Sequence, residues 1–159
     1  FGSDLQQIAR ALARLAEEFA GRLEIAYPLH PNPSVEGPMR RELAGRPGLH
    51  LLPPLEYPRF LQLLTRARLV LTDSGGVQEE AAALGVPLLV ARHVSERPEA
   101  LECGVGELVG PDAERIVAAA RHLLRDPAEH ARRARPAAVF GDGHAGERIA
   151  ELLLQRFGT

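Results

Sequence analysis

The sequence contains no lysine and no tryptophan, one cysteine (Cys103) and one methionine (Met39), and aromatic residues make up only 4% of it. A lone cysteine rules out an internal disulfide and suits a reducing compartment, so a cytoplasmic location is expected. All 19 basic residues are arginine, and against 21 acidic residues they leave a net charge of −2. Nothing in that balance calls for nucleic acid or a membrane surface as a partner. No apolar run reaches the ~18–20 residues of a membrane span, and no signal peptide is expected. The six histidines stand at no metal-ligand spacing with one another or with the cysteine, so neither a metal nor another cofactor is expected. Also missing are the G-x-G-x-x-G fingerprint, the Walker P-loop, and a G-x-S-x-G elbow around Ser74. The chain opens on Phe1 rather than Met, which suggests a segment of a longer protein.

What is present is an ordinary globular composition, 45% hydrophobic and 25% charged over 159 residues. That length suits one domain with one good core. Residues 4–20 place apolar side chains at three- and four-residue spacings, which predicts an amphipathic helix capped by Ser3 or Asp4 and ended by Gly21. Short apolar runs at 22–29, 49–52, 69–72, 87–91 and 106–109 read as strands covered on both faces. Between them, 39–44, 59–67 and 76–84 read as helices, followed by 112–125, 127–134 and a last helix through about Phe157. Residues 30–38 are too rich in proline and glycine for regular structure. Strands alternating with helices predict an α/β fold with a doubly wound parallel sheet, in which ligands sit beyond the carboxyl ends of the strands.

The stretch "LVLTDSGGVQEEAAALG" (69–85) lies at such an end. Glycine lets the backbone approach a ligand closely, and the first turn of a helix offers unpaired N–H groups and a positive dipole. Ser74, Gly75 and Gly76 are therefore candidates to cradle a phosphate or diphosphate. Glu79 and Glu80, one turn further in, are candidates to accept from vicinal hydroxyls. The plainer reading is a helix capped by Asp73 or Ser74 whose glutamates complement its dipole; it leaves two consecutive glycines unexplained, since glycine weakens a helix. On the same edge, Arg97 either binds an anionic ligand or pairs with a neighbouring glutamate, and His30 follows the first strand. Arg132, Arg133 and Arg135 read as a solvated basic face.

Together, "YPLHPNPSV", "EYPRFLQLL", "LTDSGGVQEEAAALGVPLLVARHVSERPEA" and "GDGHAGERI" resemble the non-hydrolysing UDP-N-acetylglucosamine 2-epimerases over almost the whole chain. "FGSDLQQIARAL" is similar to the first helix of that family's C-terminal half. The resemblance implies one Rossmann-like UDP-binding domain over residues 1–159, the second of two domains in a GT-B-type fold. It implies UDP or a UDP-N-acetylhexosamine on the Ser74–Gly75–Gly76 turn, Glu80 on the ribose, Phe60 near the base, and Arg97 and His30 near the diphosphate. His30 is the one candidate catalytic side chain. The family reaction inverts C2 of the sugar through elimination and re-addition of UDP. Its acid/base carboxylates lie mostly on the N-terminal domain, so this segment alone is expected to be inactive without that partner domain; a homodimer is a further expectation. A GT-B glycosyltransferase donor domain and a free-standing UDP-sugar-binding module remain alternatives. In such two-domain proteins the terminal helix reaches toward the first domain, and Ile149, Leu152, Leu153 and Phe157 are expected to be partly uncovered.

Overall fold

The structure, a computed structural model, describes residues 2–158. Its elements run in order as α1 (Gly2–Glu18), β1 (Ile25–Pro28), α2 (Pro33–Leu43), β2 (Leu49–Leu52), α3 (Tyr57–Leu64), β3 (Val70–Thr72) and α4 (Gly75–Leu84). Then follow β4 (Leu88–Val90), α5 (Pro98–Glu102), β5 (Gly106–Leu108), α6 (Ala113–Arg125), α7 (Pro127–Arg133) and α8 (Ala145–Phe157). All described strand pairings are parallel, as alternation of short apolar runs with helices requires. The strands form two groups, β1–β2 and β3–β4–β5, rather than one continuous ladder.

Helices cover both faces. On one face α1 packs against α2 and α6. Its apolar stripe divides between two clusters, one with Met39 and Leu43 of α2 and one with Ile116, Val117 and Leu123 of α6. Glu18 ties this face together by accepting from Arg121 (2.7 and 2.8 Å) and Arg125 (2.8 Å). On the other face Leu64, Ala81, Ala82 and Ala100 pack on Leu88 and Val90. β4, with helices on both sides, is wholly buried, which is why its three residues are all aliphatic.

Several local expectations need correction. Ser3 and Asp4 do not cap α1, because the helix already includes Gly2. The proline-rich stretch after His30 is helical: the Asn32 side chain accepts from the Ser34 amide (3.0 Å), and Pro33 takes the first helical position, where its missing N–H costs nothing. Pro38 lies inside that helix and is tolerated there. Residues 98–102 add a short helix between β4 and β5. Arg133 is not part of a solvated face; its side chain is 11% exposed and pairs with Glu129 (2.7 Å) and Glu107 (2.8 Å). The terminal helix does leave its apolar side open, with Ile149, Leu152, Leu153 and Phe157 each more than half exposed.

Candidate functional site

The carboxyl ends of β1, β3 and β4 carry His30, the Asp73–Gly76 turn and the loop to Arg97. Ser74 is the N-cap of α4 with extended backbone (φ −87°, ψ 131°), yet its side chain makes no capping bond. Its amide instead donates to the Thr72 hydroxyl (3.0 Å), which fixes the turn from below. The Ser74 hydroxyl is therefore released from the helix, and no acidic residue in the first turn offsets the dipole.

Gly75 and Gly76 are the first two helical residues. Neither has positive φ. A Cβ added at Gly76 would meet nothing within 4 Å, and one at Gly75 would make ordinary contact with Cζ and Nη2 of Arg97, both at 3.8 Å. Nothing within the chain requires glycine at either position.

Arg97 is brought to this turn by side chains from α4. Gln78 is fully buried, and its Oε1 accepts from Ser95 Oγ (2.6 Å). That hydroxyl in turn accepts from the Arg97 amide (3.0 Å). Gln78 Nε2 has no partner among the described residues. Arg97 Nε donates to Glu79, and Nη1 donates to the Glu96 carbonyl (3.0 Å). The glutamate raises the guanidinium pKa further above its ordinary value, so the cation is permanent. With Nε and Nη1 engaged, Nη2 lies over Gly75 with its donors available. Of the two alternatives for Arg97, the structure shows an ion pair, made with Glu79 across the loop; its remaining donors still lie at the turn.

The adjacent glutamates face different neighbours. Glu79 holds Arg97, whereas Glu80 lies against the Tyr57 hydroxyl, whose pKa it raises by hydrogen bonding and charge. Tyr57 opens α3, the helix that also carries Phe60, half-buried against the cluster under α4. Glu80 and Phe60 thus share one flank of the turn, and Glu79 and Arg97 the other.

His30 is exposed. Its Nδ1 accepts from the Asn32 amide (3.1 Å), which leaves the neutral ring's proton on Nε2, free to donate. At the end of β1, burial pushes the Tyr27 hydroxyl pKa up to about 12, with the Asp73 carboxylate adding to the shift. The predicted residues therefore gather at one rim: Ser74, Gly75, Gly76 and Arg97 in direct proximity, Glu80 and Phe60 beside them, and His30 at the end of β1. Sequence reasoning missed Gln78 and Ser95; their only signal was a buried amide four residues into an otherwise apolar helix face. Asp142 does not cap α8 directly. It accepts from the His144 amide (3.1 Å) and pairs with Arg148, holding the turn ahead of the helix. A concavity of about 510 Å³ lies elsewhere, on α6 and the α6–α7 junction around Arg121, His122 and Arg125, and has no part in this rim. No helix among the described residues is long and apolar enough to cross a membrane, and no cluster of metal-ligating side chains occurs among them.

Comparison with known proteins bears on the family and the fold. Residues 1–154 match the family model described as UDP-N-acetylglucosamine 2-epimerase. The chain is 44% identical over 153 residues to the UDP-N-acetylglucosamine 2-epimerase of Escherichia coli K12, covering 96% of this chain and 40% of that protein. It is 39% identical over 157 residues to the Bacillus subtilis enzyme of the same name, covering 99% of this chain and 41% of that one. Its fold superposes on the crystal structure of the Neisseria meningitidis UDP-GlcNAc 2-epimerase bound to UDP-GlcNAc with a TM-score of 0.90 at 35% identity, covering 95% of this chain and 40% of that one. The chain spans about two fifths of the length of the curated relatives it matches. With that match running from the first residue almost to the last, the chain belongs to the UDP-N-acetylglucosamine 2-epimerase family.

Proposed function

We propose that this chain is the UDP-gripping domain of an enzyme that interconverts UDP-N-acetylglucosamine and UDP-N-acetylmannosamine. The observation that carries the reading is the pair Gly75–Gly76: glycine stands at a helix mouth where neither φ nor internal packing asks for it. A ligand lying against bare backbone accounts for both. The diphosphate takes the free amides and hydroxyl of the Ser74–Gly76 turn, the helix dipole and Nη2 of Arg97. His30 Nε2–H completes the donor set from the far side. Glu80 accepts from the ribose hydroxyls, and Phe60 lies toward the base.

In this reading the chain's contribution to catalysis is electrostatic. Elimination breaks the bond between the sugar C1 and the diphosphate oxygen while C2 loses its proton, and the departing UDP gains negative charge. Fixed donors at the turn, the Arg97 cation and the His30 N–H stabilise that charge as it develops, and hold UDP for re-addition. The carboxylates that move the C2 proton belong to the N-terminal domain of the same polypeptide, and the cleft closes when the two domains meet. The isolated chain is inactive; the full-length enzyme uses neither metal nor redox cofactor, belongs in the cytoplasm and is a homodimer.

Titrating UDP into the isotopically labelled chain tests the seat. The Gly75 and Gly76 amide resonances shift, and Glu80→Ala weakens the binding; no movement of either amide at millimolar UDP rejects it. Incubating the chain alone with UDP-N-acetylglucosamine yields no UDP-N-acetylmannosamine, and product above a blank overturns the assignment of the proton-transfer groups to another domain.

A further inference from the structure

Two side chains of α4 reach the Arg97 loop, and they hold different parts of it. Glu79 takes the guanidinium at Nε. Gln78 takes the backbone: its Oε1 accepts from Ser95 Oγ (2.6 Å), and that oxygen accepts from the Arg97 amide (3.0 Å). The polarity of this relay is fixed. A serine hydroxyl has one proton to give, and with its oxygen already accepting from Arg97, that proton goes to Gln78. The 2.6 Å separation belongs to an O–H···O bond and is shorter than an amide N–H donor ordinarily allows.

The ion pairs of loop 92–97 are Arg92–Glu96 (3.2 Å), His93–Asp4 (3.4 Å) and Arg97–Glu79, and every partner in them is 32% or more exposed. Exposed pairs of this kind hold a geometry weakly. Gln78 is fully buried, where water does not compete for its carbonyl. The Arg97 backbone is neither helical nor extended (φ −129°, ψ 65°), and Pro98 behind it disfavours the helical conformation. The bond from its amide to Ser95, two residues back, selects that geometry.

Gln78 also joins the two halves of the anion seat. Its amide donates to the Ser74 carbonyl (3.3 Å), so one residue hangs from the glycine turn by its backbone and carries the Arg97 loop on its side chain. Folding does not reward an amide there. Nε2 has no partner among the described residues, and the other buried side chains of α4 are those of Ala81 and Ala82. An apolar side chain of the same length would remove an unsatisfied buried donor.

We propose that Gln78 is the positioning residue that sets Arg97 over the turn, acting through Ser95, and that Glu79 only trims the direction of a guanidinium already delivered. The consequence for binding rests on the diphosphate reading of the turn; the geometry does not.

Side-chain NMR reads the geometry without ligand. The Arg97 Nε–H resonance, assigned by its disappearance in Arg97→Lys, should give the heteronuclear NOE of a rigid group in the parent chain. It should give that of a mobile surface arginine in Gln78→Met and Ser95→Ala, and a rigid one again in Ser95→Thr, which keeps the hydroxyl. An Arg97 side chain as rigid in Gln78→Met as in the parent overturns the proposal. Calorimetric titration with inorganic pyrophosphate reads the consequence. Gln78→Met and Ser95→Ala should each weaken binding about tenfold, while the denaturation midpoint of Gln78→Met is unchanged or raised. In an Arg97→Ala background Gln78→Met should add nothing, because the residue acts only through Arg97. A further additive loss there, or a fall in affinity matched by an equal fall in stability, makes Gln78 a packing residue and overturns the proposal. Failure of pyrophosphate to bind the parent chain rejects the diphosphate seat instead, and the NMR comparison still decides the positioning.

Discussion

α4 begins and ends on glycine, and the two ends need it for opposite reasons. Gly85 closes the helix in the left-handed region (φ 69°), and a Cβ there would lie 2.4 Å from the Pro136 backbone nitrogen. Gly75 and Gly76 open the helix with neither constraint. One end is shaped by the fold, and the other is left bare beyond anything the fold demands. The contrast separates a structural glycine from a functional one by a physical criterion, whether an added methyl group meets the protein itself.

The largest effect is expected where the constraint is internal. Gly85→Ala forces a left-handed backbone, costing roughly 1–2 kcal/mol, and drives the methyl into residues 135–136. Overpacking adds about 1–3 kcal/mol. Chemical denaturation should show the midpoint falling by the combined amount, with UDP affinity of the folded protein unchanged. A loss below about 0.5 kcal/mol, the usual surface range, would remove the contrast at its structural end.

Gly76→Ala should behave in the reverse sense. Folding stability stays the same or rises by up to ~1 kcal/mol, because alanine suits a helix better than glycine. UDP binding weakens tenfold or more, because the methyl group occupies the approach to the amides. Calorimetric titration and a denaturation curve on the same variant read both terms. Unchanged UDP affinity with raised stability would return this end of α4 to the plainer capping reading.

The two flanks of the turn sharpen the comparison further. Arg97→Ala removes a charged donor and should weaken both UDP and inorganic pyrophosphate, by about 10–100-fold on the 1.5–3 kcal/mol scale of hydrogen bonds to charged groups. Glu80→Ala should weaken UDP by a smaller factor and leave pyrophosphate binding unchanged, because its proposed partner is the ribose. Loss of pyrophosphate binding in Glu80→Ala would place that carboxylate elsewhere.

Much of this was readable locally. Residues 49–52 as a strand, 76–84 and 112–125 as helices, and Ser74 as the position where α4 begins all follow from signals close together in the chain. α2 was missed because proline and glycine were weighed as breakers, when Pro33 stands where a helix accepts it and Asn32 caps it. The partner of Arg97 was not readable. Glu96 and Glu99 are near in sequence, yet the turn between β4 and α5 aims the side chain at Glu79, eighteen residues back. The break in the sheet was equally hidden, since the apolar runs of β1 and β3 look like buried strands whether or not a neighbour lies between them. Arg133 failed for the same reason: an arginine cluster reads as solvated until tertiary packing sets Glu107 and Glu129 around one member.

That last cluster provides the smallest expected effect, and it bears on the structural end of α4. Residues 135–136, which close on Gly85, follow directly from α7. Within α7, Glu129 accepts from Arg132 (2.7 Å for each bond) and Arg133 (2.7 Å). Those hydrogen bonds, Arg132 first, bring the Glu129 pKa down to about 2. An unfolded glutamate titrates near ~4.3. The folded value is lower, so the contribution is fully present above the unfolded value and disappears as pH falls from there through about 2. Arg132 is more than half exposed, so solvent screening keeps its share small, and the more deeply set Arg133 retains Glu107 when Glu129 is neutral. Glu129→Gln should therefore flatten the fall in stability over that acidic window and cost little near neutral pH. In Gly85→Ala, where the contact with residues 135–136 is already strained, the same substitution should cost less than it does in the parent chain. A cost that is simply additive in the double variant would show that α7 anchors itself and not the end of α4.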